Sequence, residues 1–93
     1  MYRKELIGIL LDRPVSLNDL ALELEVRPKL LEEDLQHLIK SLRHMPYHAM
    51  ITPARCRKCG FVFRRDKLHK PGKCPRCHGT WISDPLISIE EHR

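Results

Sequence analysis

The sequence has little of what a large core or a catalytic site requires. Only two Phe, two Tyr and one Trp occur among its 93 residues, and chains this short bury a smaller fraction of their surface than long ones do. The longest apolar run, Leu6 to Leu11, is six residues and includes Gly8. A membrane-spanning helix needs about 20, and a secretory signal needs a longer apolar stretch between charged and small-residue flanks. The expected location is therefore the cytoplasm, with no membrane partner. The four glycines are scattered, so no loop of the phosphate-cradling kind is present, nor is a nucleophile motif. No small-molecule substrate is evident, and the expectation is a protein that is not an enzyme.

Cysteine is equally sparse, but all four residues fall in one stretch. It reads Cys56-Arg57-Lys58-Cys59-Gly60, then thirteen residues, then Cys74-Pro75-Arg76-Cys77-His78-Gly79. Two Cys-x-x-Cys pairs fit a four-thiolate metal site, each pair supplying two sulfurs from one tight turn. Absence of a secretory pattern favours metal over a disulfide framework. The expected ligands are Cys56, Cys59, Cys74 and Cys77, holding one Zn²⁺, although four thiolates also accept iron. Gly60 can take positive φ after the first pair. His78 stands at that place in the second pair and Gly79 follows it, so the second turn is expected to differ slightly. His69 is the one histidine placed to replace a thiolate, a substitution that four cysteines make unnecessary. Arg55, Arg57, Lys58, Lys73 and Arg76 surround the cysteines and favour their thiolate form. With all four thiols committed, no coordination position is left for catalysis.

Charge is divided unevenly. Residues 1–45 carry seven Lys or Arg against eight Asp or Glu, and residues 46–93 carry ten against four. Four thiolates on one Zn²⁺ contribute a net −2, which takes the formal +5 to about +3.

Apolar spacing predicts three helices, over about 2–12, 17–24 and 28–45. Arg13-Pro14 stops the first. Ser16-Leu17-Asn18-Asp19 has the form of a capping box opening the second, and Pro28 suits the first position of the third. Leu31, Leu35, Leu38, Leu42 and Met45 form the buried seam of that third helix. A short turn between the second and third helices matches a helix-turn-helix; the alternative is a plain three-helix bundle. Extended segments over about 47–52 and 86–89 enclose the cysteine module and are expected to pair antiparallel as the stems of a wing. Phe61, Phe63 and Trp81 are expected to form the small core of the module, their alternative use being as exposed stacking platforms.

Residues 53–63, with Lys73-Cys74-Pro75-Arg76-Cys77 and Trp81-Ile82, resemble a family of small archaeal proteins that join a winged helix to a rubredoxin-like zinc ribbon. Their assigned role, transcription regulation, is inferred from the fold. The resemblance implies an α+β fold: an N-terminal winged helix-turn-helix over 1–53, a four-cysteine zinc ribbon over 54–83 inserted at the tip of the wing, and a returning strand and tail over 84–93. Rubredoxins hold iron for electron transfer, which makes an iron carrier a remote alternative that His78 disfavours.

A DNA-binding role places the third helix in or near the groove and the basic ribbon on the phosphate backbone. Candidate contacts are Lys29, Gln36, Lys40 and Arg43 on the helix, and Arg57, Lys58, Arg64, Arg65, Lys67, Lys70 and Arg76 on the ribbon. Double-stranded DNA is the expected partner. Glu32, Glu33 and Asp34 near the helix start oppose it, and the competing expectation is a module that docks on transcription machinery or another protein.

Overall fold

Eight leucines of the first half of the chain gather between three helices, while Leu22 and Leu30 stay exposed. In the computed structural model, which describes residues 3–66 and 68–92 and, within these, not the side chains of Arg3 and Lys4, α1 spans Arg3–Leu10, α2 Leu17–Leu24 and α3 Pro28–Ser41. A turn of 3-10 helix over Leu42–His44 continues α3. Leu6, Leu10, Leu17, Leu20, Leu31, Leu35, Leu38 and Leu42 are buried in one cluster, with Met45 half-buried beside them. Each large apolar side chain removed from water contributes about 1.5–3 kcal/mol, so this cluster is the main source of cohesion in the helical half.

Helix α1 ends sooner than its apolar pattern suggests. Leu11 bridges Ile89 in parallel, Asp12 adopts φ 54, and the Asp12 N–H donates to the Ile89 carbonyl at 2.8 Å. Pairing with a distant strand, rather than Arg13-Pro14, therefore terminates the helix. The expected start near residue 2 lies outside the described residues.

Val15–Ser16 forms a short strand, β1, which the sequence reading left unassigned. Ser16 also caps α2, its hydroxyl accepting the Asp19 N–H at 3.1 Å. Among the described residues only this forward half of the capping box forms. Helix α2 closes on Glu25 at φ 57, whose N–H reaches the Ala21 and Leu22 carbonyls, and Pro28 opens α3.

Strand β2, Tyr47–Thr52, pairs antiparallel with β3, Leu86–Glu91, from Tyr47 opposite Glu91 to Thr52 opposite Leu86. The returning strand is thus longer than expected, reaching Glu91 instead of Ile89. It lies between β1 and β2, which is why Ile87, Ser88 and Ile89 are all buried. Residues 53–85 leave the sheet at Thr52 and re-enter it at Leu86.

That excursion does not hang free. Leu68, within the stretch read as ribbon, is 2% exposed and sits in the leucine cluster of the helices. The Nδ1 atom of the adjacent His69 lies 2.8 Å from the carboxylate of Glu32 on α3. One apolar plug and one polar clasp tie the cysteine module to the third helix. No described helix is long and apolar enough to cross a membrane.

Candidate metal centre

Three short stretches of extended backbone frame the first cysteine turn. The Phe63 N–H donates to the Ala54 carbonyl and that of Cys56 to Phe61; on the other side, the Arg57 N–H donates to Trp81 and that of Ser83 to Arg55, all at 2.8–2.9 Å. The first stretch, 54–57, is therefore central and the other two flank it.

Both cysteine turns close with the same hydrogen bonds. The Gly60 N–H donates to the Cys56 carbonyl and the His78 N–H to the Cys74 carbonyl; the Cys56 N–H then reaches Phe61, as the Cys74 N–H reaches Gly79. His78 adopts φ 63, the left-handed conformation that Gly60 takes at φ 83. The expected difference between the turns is thus absent, because His78 accepts the backbone strain that glycine avoids. Gly79 has another purpose. A Cβ there would lie 3.2 Å from the Cys77 sulfur and 3.4 Å from the Lys58 side chain, so its small size lets the backbone approach the site.

The four Sγ atoms lie within 4.8 Å of one another, with Cys56–Cys77 and Cys59–Cys74 each 3.6 Å apart. A tetrahedral site with metal–sulfur bonds of about 2.3 Å has edges of about 3.8 Å, so the sulfurs already approximate the cage a zinc ion needs. Backbone donors surround them: the N–H groups of Arg76 and Cys77 point at the Cys74 sulfur and that of Gly79 at Cys77. These donors set the protonation of the metal-free site. The Cys59 N–H, helped by that of Lys58 and by Cys77 and Cys59 and opposed by burial, holds the Cys56 thiol down at about 6. At Cys74 burial works upward, but the N–H groups of Cys77 and Arg76 bring the thiol below its ordinary range. Cys59 goes the other way: the Phe61 N–H favours its thiolate, yet burial and the sulfurs of Cys74, Cys56 and Cys77 push it up to about 11. A metal ion binding at neutral pH displaces the Cys59 proton, so affinity rises with pH through that range.

Ala54, Cys56, Cys74 and Ile82 are buried around the site, with Phe61 and Phe63 packed against them. Those two rings meet edge to face at 5.1 Å. Trp81 does not join them; it is 65% exposed. Neighbouring residues on extended backbone face opposite ways, and Ile82, bridged to Cys56, takes the inward position. His69 is likewise no ligand, since its ring nitrogen meets Glu32.

All candidate nucleic-acid contacts among the described residues are exposed, and Lys67 lies outside those residues. Gln36, Lys40 and Arg65 line one groove of about 280 Å³ with Ile39, Ile51 and Leu68. Arg57 and Lys70 line a different cleft, with Lys70 3.5 Å from Asp84. Arg64 is paired with Asp66 at 2.9 Å. Lys58 packs near Gly79, and Arg43 lines a third hollow with His48 and His92. Neither Lys29 nor Arg76 borders the groove shared by α3 and the ribbon. Sequence reasoning missed Leu68 and weighed His69 only as a metal ligand; the signal for the anchor was a lone leucine within Arg64-Arg65-Asp66-Lys67-Leu68-His69-Lys70.

Residues 53–92 match the family described as the PF0610 rubredoxin-like zinc beta-ribbon domain. No curated protein matches the chain. The solution NMR structure of protein PF0610 from Pyrococcus furiosus is similar over 96% of this chain and 88% of its own, with 33% sequence identity and a TM-score of 0.78. With paired cysteine turns poised around a tetrahedral site and a likeness that runs nearly end to end, the chain belongs to the PF0610 rubredoxin-like zinc beta-ribbon family.

Proposed function

We propose that the protein is a DNA-binding regulator of transcription. In this reading α1–α3 and the sheet act as a winged helix-turn-helix, and the ribbon, built on a structural zinc ion, grips the phosphate backbone. One observation carries the reading: the ribbon is fastened to α3, by Leu68 in the leucine core and by His69 on Glu32, so that Arg65 shares a groove with Gln36 and Lys40. Gln36 has the chemistry to read adenine, and Lys40 and Arg65 that to meet guanine or phosphate. Base reading requires backbone contacts in fixed register, which a fastened ribbon supplies and a tethered one does not. The clasp also occupies Glu32, one of three carboxylates near the start of α3 that would repel a duplex. Four thiolates close the metal site, so the ion's contribution is folding energy, and no catalytic role is proposed.

Anisotropy of a labelled random-sequence duplex, titrated with zinc-loaded protein, tests this. If about four phosphates are neutralised, affinity falls roughly a hundredfold between about 50 and 200 mM salt. Charge reversal at Arg64 and Arg65 abolishes that binding. Absence of salt-dependent binding even at low salt overturns the reading.

A second reading, a module that docks on transcription machinery without reading DNA, draws on a different feature. Leu24, Val26, Leu30 and Leu31 form an apolar groove of about 320 Å³ edged by Glu5, Glu33 and Asp34, with Leu30 55% exposed. Such a groove suits a basic amphipathic segment of another protein.

A further inference from the structure

Trp81 is the largest side chain that the ribbon leaves in solvent, at 65% exposure. Its mounting is rigid all the same. The Trp81 carbonyl accepts the Arg57 N–H at 2.8 Å, Ile82 beside it is buried against Cys56, and Ser83 exchanges bonds with Arg55. The indole borders two hollows. One, of about 560 Å³, is lined by Arg55, Cys56, Arg57, Gly60 and Ser83 and holds no carboxylate. The other contains Arg57 and Lys70 but also Asp19 and Asp84, and Asp84 is matched by Lys70. The first hollow therefore combines an aromatic face held on fixed backbone, two guanidinium groups without an ion-pair partner among the described residues, and space beside the ring.

That combination fits one ligand chemistry. An aromatic platform takes the π-face of a base, and flanking arginines take the phosphates on either side of it. A base inside an intact duplex is stacked on its neighbours and cannot present that face. Resting on the nucleic-acid reading above, we infer that Trp81 is a stacking platform for an unpaired base of single-stranded or locally opened nucleic acid, with Arg55 and Arg57 holding the adjoining phosphates.

Trp81 is the chain's only tryptophan, so its emission reports on the site directly. Zinc-loaded full-length protein is titrated with an oligothymidine of about 15 nucleotides, within the usual span of single-strand sites, and in parallel with a duplex of equal length, following both intrinsic fluorescence and label anisotropy. The single strand is expected to quench the emission, whereas inorganic phosphate does not. W81A is expected to lose about tenfold or more in single-strand affinity, W81F to recover most of it, and both to keep the salt dependence of the native protein. Single-strand binding without quenching, or with W81A undiminished, overturns the stacking inference. The two readings fail separately: duplex binding with no single-strand quenching defeats stacking and leaves the backbone grip, single-strand quenching with no duplex binding defeats the duplex reading and sustains stacking, and neither signal defeats both.

Discussion

The two halves of this molecule are held together by different physics. The helical half buries a cluster of leucines from all three helices and carries seven basic against eight acidic residues over 1–45. Around its own site the ribbon buries a cluster of four small or medium residues, Ala54, Cys56, Cys74 and Ile82, two of them candidate metal ligands, and its one large buried leucine, Leu68, is lent to the helices; basic residues outnumber acidic ones ten to four over 46–93. Burial supports the first half; the second has little apolar area and much like charge, so its closure is expected to depend on coordination by the four cysteines. The difference teaches that a charged surface can be displayed on a small domain if cohesion comes from a metal rather than from a core.

The sharpest way to break the comparison is to remove a ligand. Cys74 is buried, its sulfur lies 3.6 Å from that of Cys59, and it accepts N–H groups from Arg76 and Cys77. Structural zinc binding is worth on the order of 10–16 kcal/mol in small peptides. C74S is expected to lose the metal and become protease-sensitive within residues 53–85, while far-UV circular dichroism retains most of the helical signal. Unchanged protease resistance would mean that the ribbon does not depend on its metal.

Leu68 allows a finer cut, because it belongs to the ribbon by sequence and to the helices by packing. Truncating a fully buried leucine costs about 2–5 kcal/mol, according to how far the cavity collapses. L68A is expected to lower the unfolding free energy measured in urea by that amount, with metal content unchanged at one ion per chain. If metal is lost along with stability, Leu68 supports the ribbon and the two halves are less separate than their chemistry suggests.

This residue also marks where sequence reading stops. The metal-ligand spacing was legible because thiolate geometry permits few patterns, and Leu31, Leu35, Leu38 and Leu42 were legible because a buried helix face repeats every three or four residues. Leu68 repeats nothing. The cluster it joins, against which Ile39 and Ile51 also pack, is drawn from distant elements, and no local period records a long-range contact. Val15–Ser16 was missed for a related reason: two residues are too few to show alternation, and their pairing with Leu86 and Ile87 lies some seventy positions along the chain. Trp81 was misassigned because aromatic size argued for burial, whereas the parity of extended backbone gave the inner position to Ile82.

Within the ribbon the comparison narrows to its two cysteine turns, which share hydrogen bonds but differ in one residue. Gly60 and His78 occupy equivalent positions, at φ 83 and φ 63. A side chain in the left-handed region costs about 1–2 kcal/mol. A Cβ at Gly60 would meet nothing nearer than the Arg55 guanidinium at 3.8 Å, so G60A adds that backbone strain, offset by about 0.5–1 kcal/mol of unfolded-chain entropy, and is expected to destabilise the zinc form by up to about 1.5 kcal/mol. At the second turn the strain is already present. H78G removes it and gives back about 0.5–1 kcal/mol in unfolded-chain entropy, leaving a net gain of between zero and about 1.5 kcal/mol. Thermal unfolding of zinc-loaded variants should therefore move in opposite directions for the two substitutions. Should H78G instead lose stability, while H78A matches the native protein, the entropy of glycine has outweighed the strain; should both lose it, the imidazole itself supports the site, and the second turn keeps a histidine for a contact worth more than the conformation it costs.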